Sequence, residues 1–148
     1  MNFVVTDSLL GEVIYDSVTN FSMRTPKNLT KENLSSDEEK KLMDAGFKAL
    51  YTSSKNGENF IVFDLNKLSD SIFKKYYTQL ESNLKNNSQF KKVSIDSFYS
   101  SDFFIKQFFS LSDKTVNLKL LLNNFKKGHY EIDFSVPLVT YNNEGRTI

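Results

Sequence analysis

The chain has 148 residues, nineteen basic and eighteen acidic side chains, a formal net charge of +1 and no cysteine. This length fits one domain, residues 1–148, with enough core to fold without metal or disulfide bonds. The balanced charge argues against a nucleic-acid partner, and the lack of cysteine excludes thiol catalysis, disulfides and cysteine-ligated zinc.

The N-terminus, MNFVVTDSLLGEV, lacks the charged and apolar regions of a signal peptide. No apolar run reaches the roughly 20 residues of a membrane helix, so we expect no transmembrane segment. If Met1 is the natural start we expect a cytoplasmic protein. A leader absent from this chain would instead make it exported or lipid-anchored.

The stretch GEVIYDSVTNFSMRTP predicts two short strands joined by a polar connection. Val13 and Tyr15 are the alternating apolar positions of the first strand, and Phe21 and Met23 are those of the second. Pro26 ends the second strand because proline has no backbone N–H to donate to a sheet.

The next stretch, SSDEEKKLMDAGFKALYTSS, predicts a helix. Ser36 is the expected N-cap, and Glu39, three residues later, completes a capping box. Acidic residues in the first turn and lysines after them suit the helix dipole. The apolar stripe consists of Leu42, Ala45, Ala49 and Leu50.

A competing interpretation ends this helix near Met43 and makes residues 47–52 a strand. Asn56 and Gly57 would then form a type I′ hairpin turn. We favour the longer helix.

The run NFIVFDL is almost continuously apolar and predicts a strand covered on both faces. The following NKLSDSIFKKYYTQLESNLKNN predicts a long helix, because apolar residues recur every four positions. These are Leu68, Ile72, Tyr76, Leu80 and Leu84, with Phe73 and Tyr77 beside them.

Three or four strands in a row are predicted after the long helix, in KKVSIDSF, DFFIKQFFSL, TVNLKLLLNN and HYEIDFSVP. Short turns join them, so neighbours should be antiparallel. The order of elements predicts an α+β domain with a single antiparallel sheet. One helix follows the N-terminal hairpin and a long helix precedes a C-terminal meander. Apolar residues on both faces of the strands indicate that helices or a partner cover the second face.

His129, the only histidine, starts the last strand on the polar side of its alternation, together with Glu131 and Asp133. A histidine and two carboxylates could bind a divalent metal, but no spacing supplies further ligands. We favour a solvated polar strand face, and we predict no metal site.

Catalytic and cofactor motifs are lacking. No G-x-S-x-G elbow surrounds any serine, and the five glycines form neither a phosphate loop nor a dinucleotide fingerprint. We therefore predict no cofactor and no catalytic residues.

The aromatic residues of the meander offer a candidate partner surface around Phe104, Phe108 and Leu121. The alternative is that this face lies beneath one of the helices, and we favour that alternative because both helices must bury their apolar stripes. If the helices cover only part of this face, the covered part is core and the rest can still bind a partner.

The chain resembles the Mog1/PsbP-like domain, including its bacterial DcrB-like and lipoprotein members. The likeness rests on NFSMRTPKNL, on the apolar strand that leads into the long helix, and on NLKLLLNNFKKGHYEIDFSVP. The resemblance implies an α/β/α sandwich around an antiparallel sheet and a binding or accessory role. The family's closing helix is missing or reduced to a stub after Tyr141.

Two functional hypotheses follow. The first is a non-catalytic adaptor that binds an unknown protein partner. It predicts that Phe104→Asp or Phe108→Asp abolishes the complex but leaves the fold intact. The second is a protein that binds a small apolar ligand, or a weak hydrolase, with a pocket between the sheet and the long helix. Phe73, Tyr76 and Tyr77 would line that pocket.

Overall fold

The computed structural model describes residues 10–16, 21–26, 31–55 and 57–138. Within these ranges the helices are α1 (Ser36–Asp44) and α2 (Asp70–Asn86). The strands there are β1 (Leu10–Asp16), β2 (Phe21–Pro26), β3 (Lys48–Lys55), β4 (Glu58–Asp64), β5 (Lys92–Tyr99), β6 (Phe103–Leu111), β7 (Thr115–Asn124) and β8 (Gly128–Pro137).

Six of the described strands form one antiparallel sheet in the order β3-β4-β8-β7-β6-β5. The predicted α+β class with an antiparallel sheet is therefore confirmed, as is the meander from β5 to β8. The hairpin of β1 and β2 forms a separate two-stranded sheet, whereas a single sheet was predicted.

The hairpin packs against the large sheet through Ile14. The alternating pattern had instead predicted Val13 and Tyr15 as the apolar positions of this strand. Ile14 is buried with Tyr51, Phe60 and Val62. Val13 and Tyr15, the predicted apolar positions of the strand, are more than half exposed. The hairpin thus lies across the face of the sheet instead of extending it.

The first helix is shorter than predicted, and the competing interpretation is correct. Gly46 has a φ of 90°, and its N–H donates to the carbonyl of Met43. The Phe47 N–H donates to the carbonyl of Leu42 at 2.8 Å. This pair of bonds is a Schellman ending, which needs a left-handed residue, and glycine supplies it. The chain then continues as β3.

The N-cap of α1 is Ser35, one residue before the predicted Ser36. Its hydroxyl accepts from the backbone N–H of Glu38. The hairpin after β3 turns at Gly57, whose φ of 80° suits a tight turn. Asn56, the other predicted turn residue, lies outside the described residues.

We call the two sides of the large sheet the helix face, which carries Phe63, Phe108 and Leu121, and the hairpin face, which carries Phe60 and Val62. Strand β4 supplies buried side chains to both faces, so its predicted two-sided burial is confirmed.

Both described helices pack on the helix face. Leu42 of α1 and Phe73 of α2 belong to the same apolar cluster. In the described part of the chain the layers are therefore helices, sheet and hairpin, where an α/β/α sandwich was predicted. The region after Tyr141, where the resemblance places a closing helix, lies outside the described residues.

The long helix α2 begins after Ser69, whose hydroxyl accepts from the N–H of Ile72. Ile72 itself is 53% exposed, although the four-residue repeat placed it in the apolar stripe. The side chains that face the sheet are Phe73, Tyr76, Tyr77, Leu80 and Leu84.

Strand β8 begins at a close junction with the segment after β4. The Asn66 side-chain oxygen accepts from the backbone N–H of His129 at 2.8 Å, and the N–H of Leu65 donates to the carbonyl of His129 at 2.9 Å. Gly128 has a φ of 112°, and a Cβ there would lie 1.7 Å from the Asn66 oxygen. Only glycine fits this approach without rearrangement.

Candidate functional site

A cavity of about 450 Å³ opens between the helix face of the sheet and the C-terminal half of α2. Its apolar walls include Ile61 of β4, Phe108 of β6, Leu80 and Leu84 of α2, and Phe90, which follows the helix. Volumes of roughly 300–1,000 Å³ with mainly apolar walls are typical of small-molecule pockets.

Two charged side chains also line this cavity, Lys119 of β7 and Asp133 of β8. They are directly opposite each other in neighbouring antiparallel strands, so both side chains lie on the helix face. The Lys119 Nζ atom is 3.7 Å from the Asp133 Oδ1 atom. That oxygen is buried and has no hydrogen-bond partner in the described part of the chain.

Glu131 lies two residues before Asp133 in β8, and so on the same face of the sheet. Only 1% of it is exposed. Its Oε1 atom accepts a hydrogen bond from the hydroxyl of Tyr76 in α2. The Lys119 Nζ atom is 3.8 Å from the same oxygen and therefore lies near both carboxyl groups.

Burial changes the protonation of this group of side chains. It raises the pKa of Glu131 to about 8, and the negative charge of Asp133 adds to the effect. Burial also raises the pKa of Asp133, while Lys119 lowers it. The pKa of Tyr76 is raised by burial and by the charge of Glu131.

At neutral pH Glu131 therefore holds a proton, because its pKa is about 8. The nearby Lys119 ammonium lowers the pKa of Asp133 and so favours the charged form of that carboxyl group. An ion pair of Lys119 and Asp133 therefore forms the charged part of the cavity wall. It offers an ammonium donor and a carboxylate acceptor side by side.

His129 does not lie on a solvated strand face, and that part of the prediction is wrong. The helix α2 covers this end of the strand, and His129 is 6% exposed. Its Nε2 atom is 2.7 Å from the Asp70 Oδ1 atom in the first turn of α2. Glu131 is buried too, so the polar alternation of β8 faces the covered side of the sheet.

The predicted partner surface is largely core. Phe108 and Leu121 are 2% and 0% exposed and belong to the apolar cluster beneath α2. Phe104 is half-buried and contacts Tyr77 and Tyr99. The three residues therefore do not form an exposed surface, which agrees with the favoured alternative that a helix covers this face.

A cavity does lie between the sheet and the long helix, but none of the predicted lining residues lines it. Phe73 is buried against His129, Tyr76 bonds Glu131, and Tyr77 packs on Phe73 and Phe104. They hold the N-terminal half of α2 to the sheet. The cavity lies one to two turns further along, at Leu80 and Leu84.

Sequence reasoning missed Lys119, Leu80, Leu84 and Phe90 as site residues. The four-residue repeat correctly predicts that Leu80 and Leu84 lie in the apolar stripe of α2. The sequence around them does not show that a cavity lies between this part of the helix and the sheet. Lys119 falls on the polar side of the alternation in TVNLKLLLNN. Leu121 is the apolar exception on that side, and it was the available signal that this face is covered.

Among the described residues, no three His, Asp or Glu side chains are grouped as metal ligands. The Nε2 atom of His129 contacts Asp70, and the carboxyl groups of Glu131 and Asp133 are engaged with Lys119 and Tyr76. The helices of the described ranges also include none long and apolar enough to cross a membrane.

No protein-family model matches this chain, and neither does any curated protein. The resemblance to the Mog1/PsbP-like domain therefore stays a prediction. What the site does must be argued from its own geometry.

Proposed function

We propose that this domain is a non-catalytic binding protein that holds a small, mostly apolar ligand in the cavity beneath α2. The observation that carries the proposal is the cavity itself, about 450 Å³ with Leu80, Leu84 and Phe108 in its walls. A binding role also agrees with the Mog1/PsbP-like resemblance.

The charged pair in the wall narrows the class of ligand. Lys119 can donate a hydrogen bond and Asp133 can accept one, and they are 3.7 Å apart. A hydroxyl group does both, donating to Asp133 and accepting from Lys119. Since Lys119 and Asp133 already balance each other's charge, a charged head group would be buried without compensation. The geometry therefore favours an aliphatic ligand with a neutral hydroxyl head.

The test compares three ligands with the same medium-length aliphatic chain and different heads: an alcohol, a primary amine and a carboxylate. Each is titrated into the protein and followed by calorimetry and by NMR shifts at Leu80, Leu84 and Phe108. We expect the alcohol to bind most tightly, with shifts confined to the cavity. Failure of all three ligands to bind would overturn the proposal.

A pair of variants checks that the ligand occupies this cavity. Leu84→Trp places an indole in the cavity and should abolish binding. Ile72→Trp adds the same group on the exposed side of the same helix and should leave binding unchanged. Equal effects of the two variants would contradict the assignment of the site.

The adaptor hypothesis, in which the chain binds a protein partner, remains a prediction. The surface first suggested for it, around Phe104, Phe108 and Leu121, is not available because Phe108 and Leu121 are buried. An Asp at position 108 would now be expected to disrupt the fold, because Phe108 is buried in the core.

A further inference from the structure

The two edges of the six-stranded sheet differ. The outer edge of β3 is partly occupied by its own chain, since Lys31 forms a bridge with Ser53 and the Glu32 N–H donates to the Thr52 carbonyl at 2.7 Å. Strand β5 pairs with β6 on its inner side. Among the residues that the structure describes, no strand pairs with its outer side.

The register of β5 shows which backbone groups point outward. The N–H of Ser100 donates to the carbonyl of Phe103, in line with the pairing of β5 and β6. Backbone groups of an antiparallel strand alternate in direction, so within β5 the even-numbered residues bond β6. Just before the strand, the N–H of Lys91 also donates to the carbonyl of Leu111 at 2.7 Å. Val93, Ile95 and Ser97 therefore present their N–H and C=O groups at the open edge.

The side chains of β5 carry a self-complementary pair of charges. Lys92 and Asp96 lie two residues before and two residues after Ser94, and both are exposed. Within the described ranges neither has an ion-pair partner, whereas the neighbouring Lys91 is paired with Asp113 at 2.8 Å. As even-numbered residues, Lys92 and Asp96 share one face of the strand.

We propose that two copies of this chain pair antiparallel through β5, with the twofold axis at Ser94. Lys92 of each copy then lies opposite Asp96 of the other, and Val93 lies opposite Ile95. The outward groups of Val93 and Ile95 meet as hydrogen-bonded pairs. The charged pair occupies the non-hydrogen-bonded position, where opposing side chains are closest.

The charges select this register. An axis at Lys92 or at Asp96 would place two lysines or two aspartates directly opposite each other, which is unfavourable. Around Ser94 both charge pairs are attractive, and the twofold symmetry makes each occur twice. The interaction therefore fits a second copy of this chain, because the same patch complements itself.

The experiment is sedimentation equilibrium of the full chain at increasing concentration, for wild type and for charge variants. Lys92→Glu or Asp96→Lys alone sets like charges opposite each other and should raise the dimer dissociation constant about tenfold or more. The double variant, Lys92→Glu with Asp96→Lys, restores opposite charges and should restore the wild-type constant. Lys75→Glu, the same change of charge on the exposed side of α2, should have no effect.

Because the changed side chains are exposed, each variant should keep the wild-type circular dichroism spectrum. A wild-type chain that stays monomeric at every concentration would overturn the proposal. So would a dimer that Lys92→Glu leaves intact, a double variant that stays as weak as the single ones, or an equal loss with Lys75→Glu.

Discussion

The imidazole ring of His129 lies flat on the phenyl ring of Phe73, with 4.1 Å between the ring centroids and 11° between the planes. From the sequence alone, His129 is a candidate metal ligand and Phe73 a candidate wall of a pocket. In the structure the stacked rings of His129 and Phe73 hold the start of β8 against the first turns of α2. The bond from His129 to Asp70 holds the same two elements together.

Replacing His129 with Ala should therefore weaken the fold. The change removes the stacked ring and leaves a void at a 6% exposed position. We expect the free energy of unfolding to fall by about 2–4 kcal/mol, measured by urea denaturation. Asp70→Asn keeps an acceptor at an exposed side chain and should cost less than about 1 kcal/mol. Equal losses would show that the stacking contributes little.

Glu131 should make the stability of the fold depend on pH. Its pKa is raised from 4.5 to about 8 in the folded chain. Between these values the folded state holds a proton that the unfolded state has lost. Stability should therefore decrease as the pH rises through this range, by up to about 1.4 kcal/mol per pH unit from this group. Urea denaturation at a series of pH values measures the slope.

The matched variant for that measurement is Glu131→Gln, which is uncharged at every pH and can still accept from Tyr76. Its unfolding free energy should lack this downward slope and should exceed that of the wild type above pH 8. Parallel pH profiles for the two proteins would show that Glu131 does not retain a proton on folding.

Tyr76→Phe removes the hydroxyl that donates to Glu131. A buried carboxyl group that loses a donor should destabilise the fold by about 1–3 kcal/mol. The control is Tyr77→Phe on the same helix, where the ring contacts with Phe73 and Phe104 are kept. We expect the control to change stability by less than about 0.5 kcal/mol. A loss of similar size in both variants would count against the bond to Glu131.

Gly128→Ala should be more damaging than Gly57→Ala. Both glycines have positive φ, so alanine is strained at each by about 1–2 kcal/mol. At Gly128 the new methyl group would also meet the Asn66 oxygen, at 1.7 Å, whereas at Gly57 it would lie 2.9 Å from the Pro137 ring. Thermal unfolding of the two variants measures the difference. Similar melting temperatures would show that Asn66 moves away at little cost.

Most of the strands and the long helix could be predicted because their patterns are local. The meander alternates with period two, and α2 repeats its apolar residues about every four positions. The end of α1 was missed because Ala49 and Leu50 happen to continue the helical stripe. Gly46 was the contrary signal, since a glycine after the last apolar turn often ends a helix.

The site was harder to predict because it depends on which elements cover which face. The sequence of β8 shows that Glu131 and Asp133 share a side, but not that α2 lies over that side. Alternation of polar and apolar residues does not show whether the polar side of a strand faces solvent or is covered by another part of the protein. The cavity is also invisible in the sequence, since an incompletely filled core is a property of packing between distant segments.

The unequal edges of the sheet limit how far this protein can assemble. A β-sheet with two open edges can add copies at both ends and grow into a fibre. Here Lys31 and Glu32 occupy part of one edge, and pairing around Ser94 consumes the other. Association through β5 would thus favour two subunits, which form one continuous sheet of twelve strands, twice the six of one chain, with a partly occupied β3 at each outer edge.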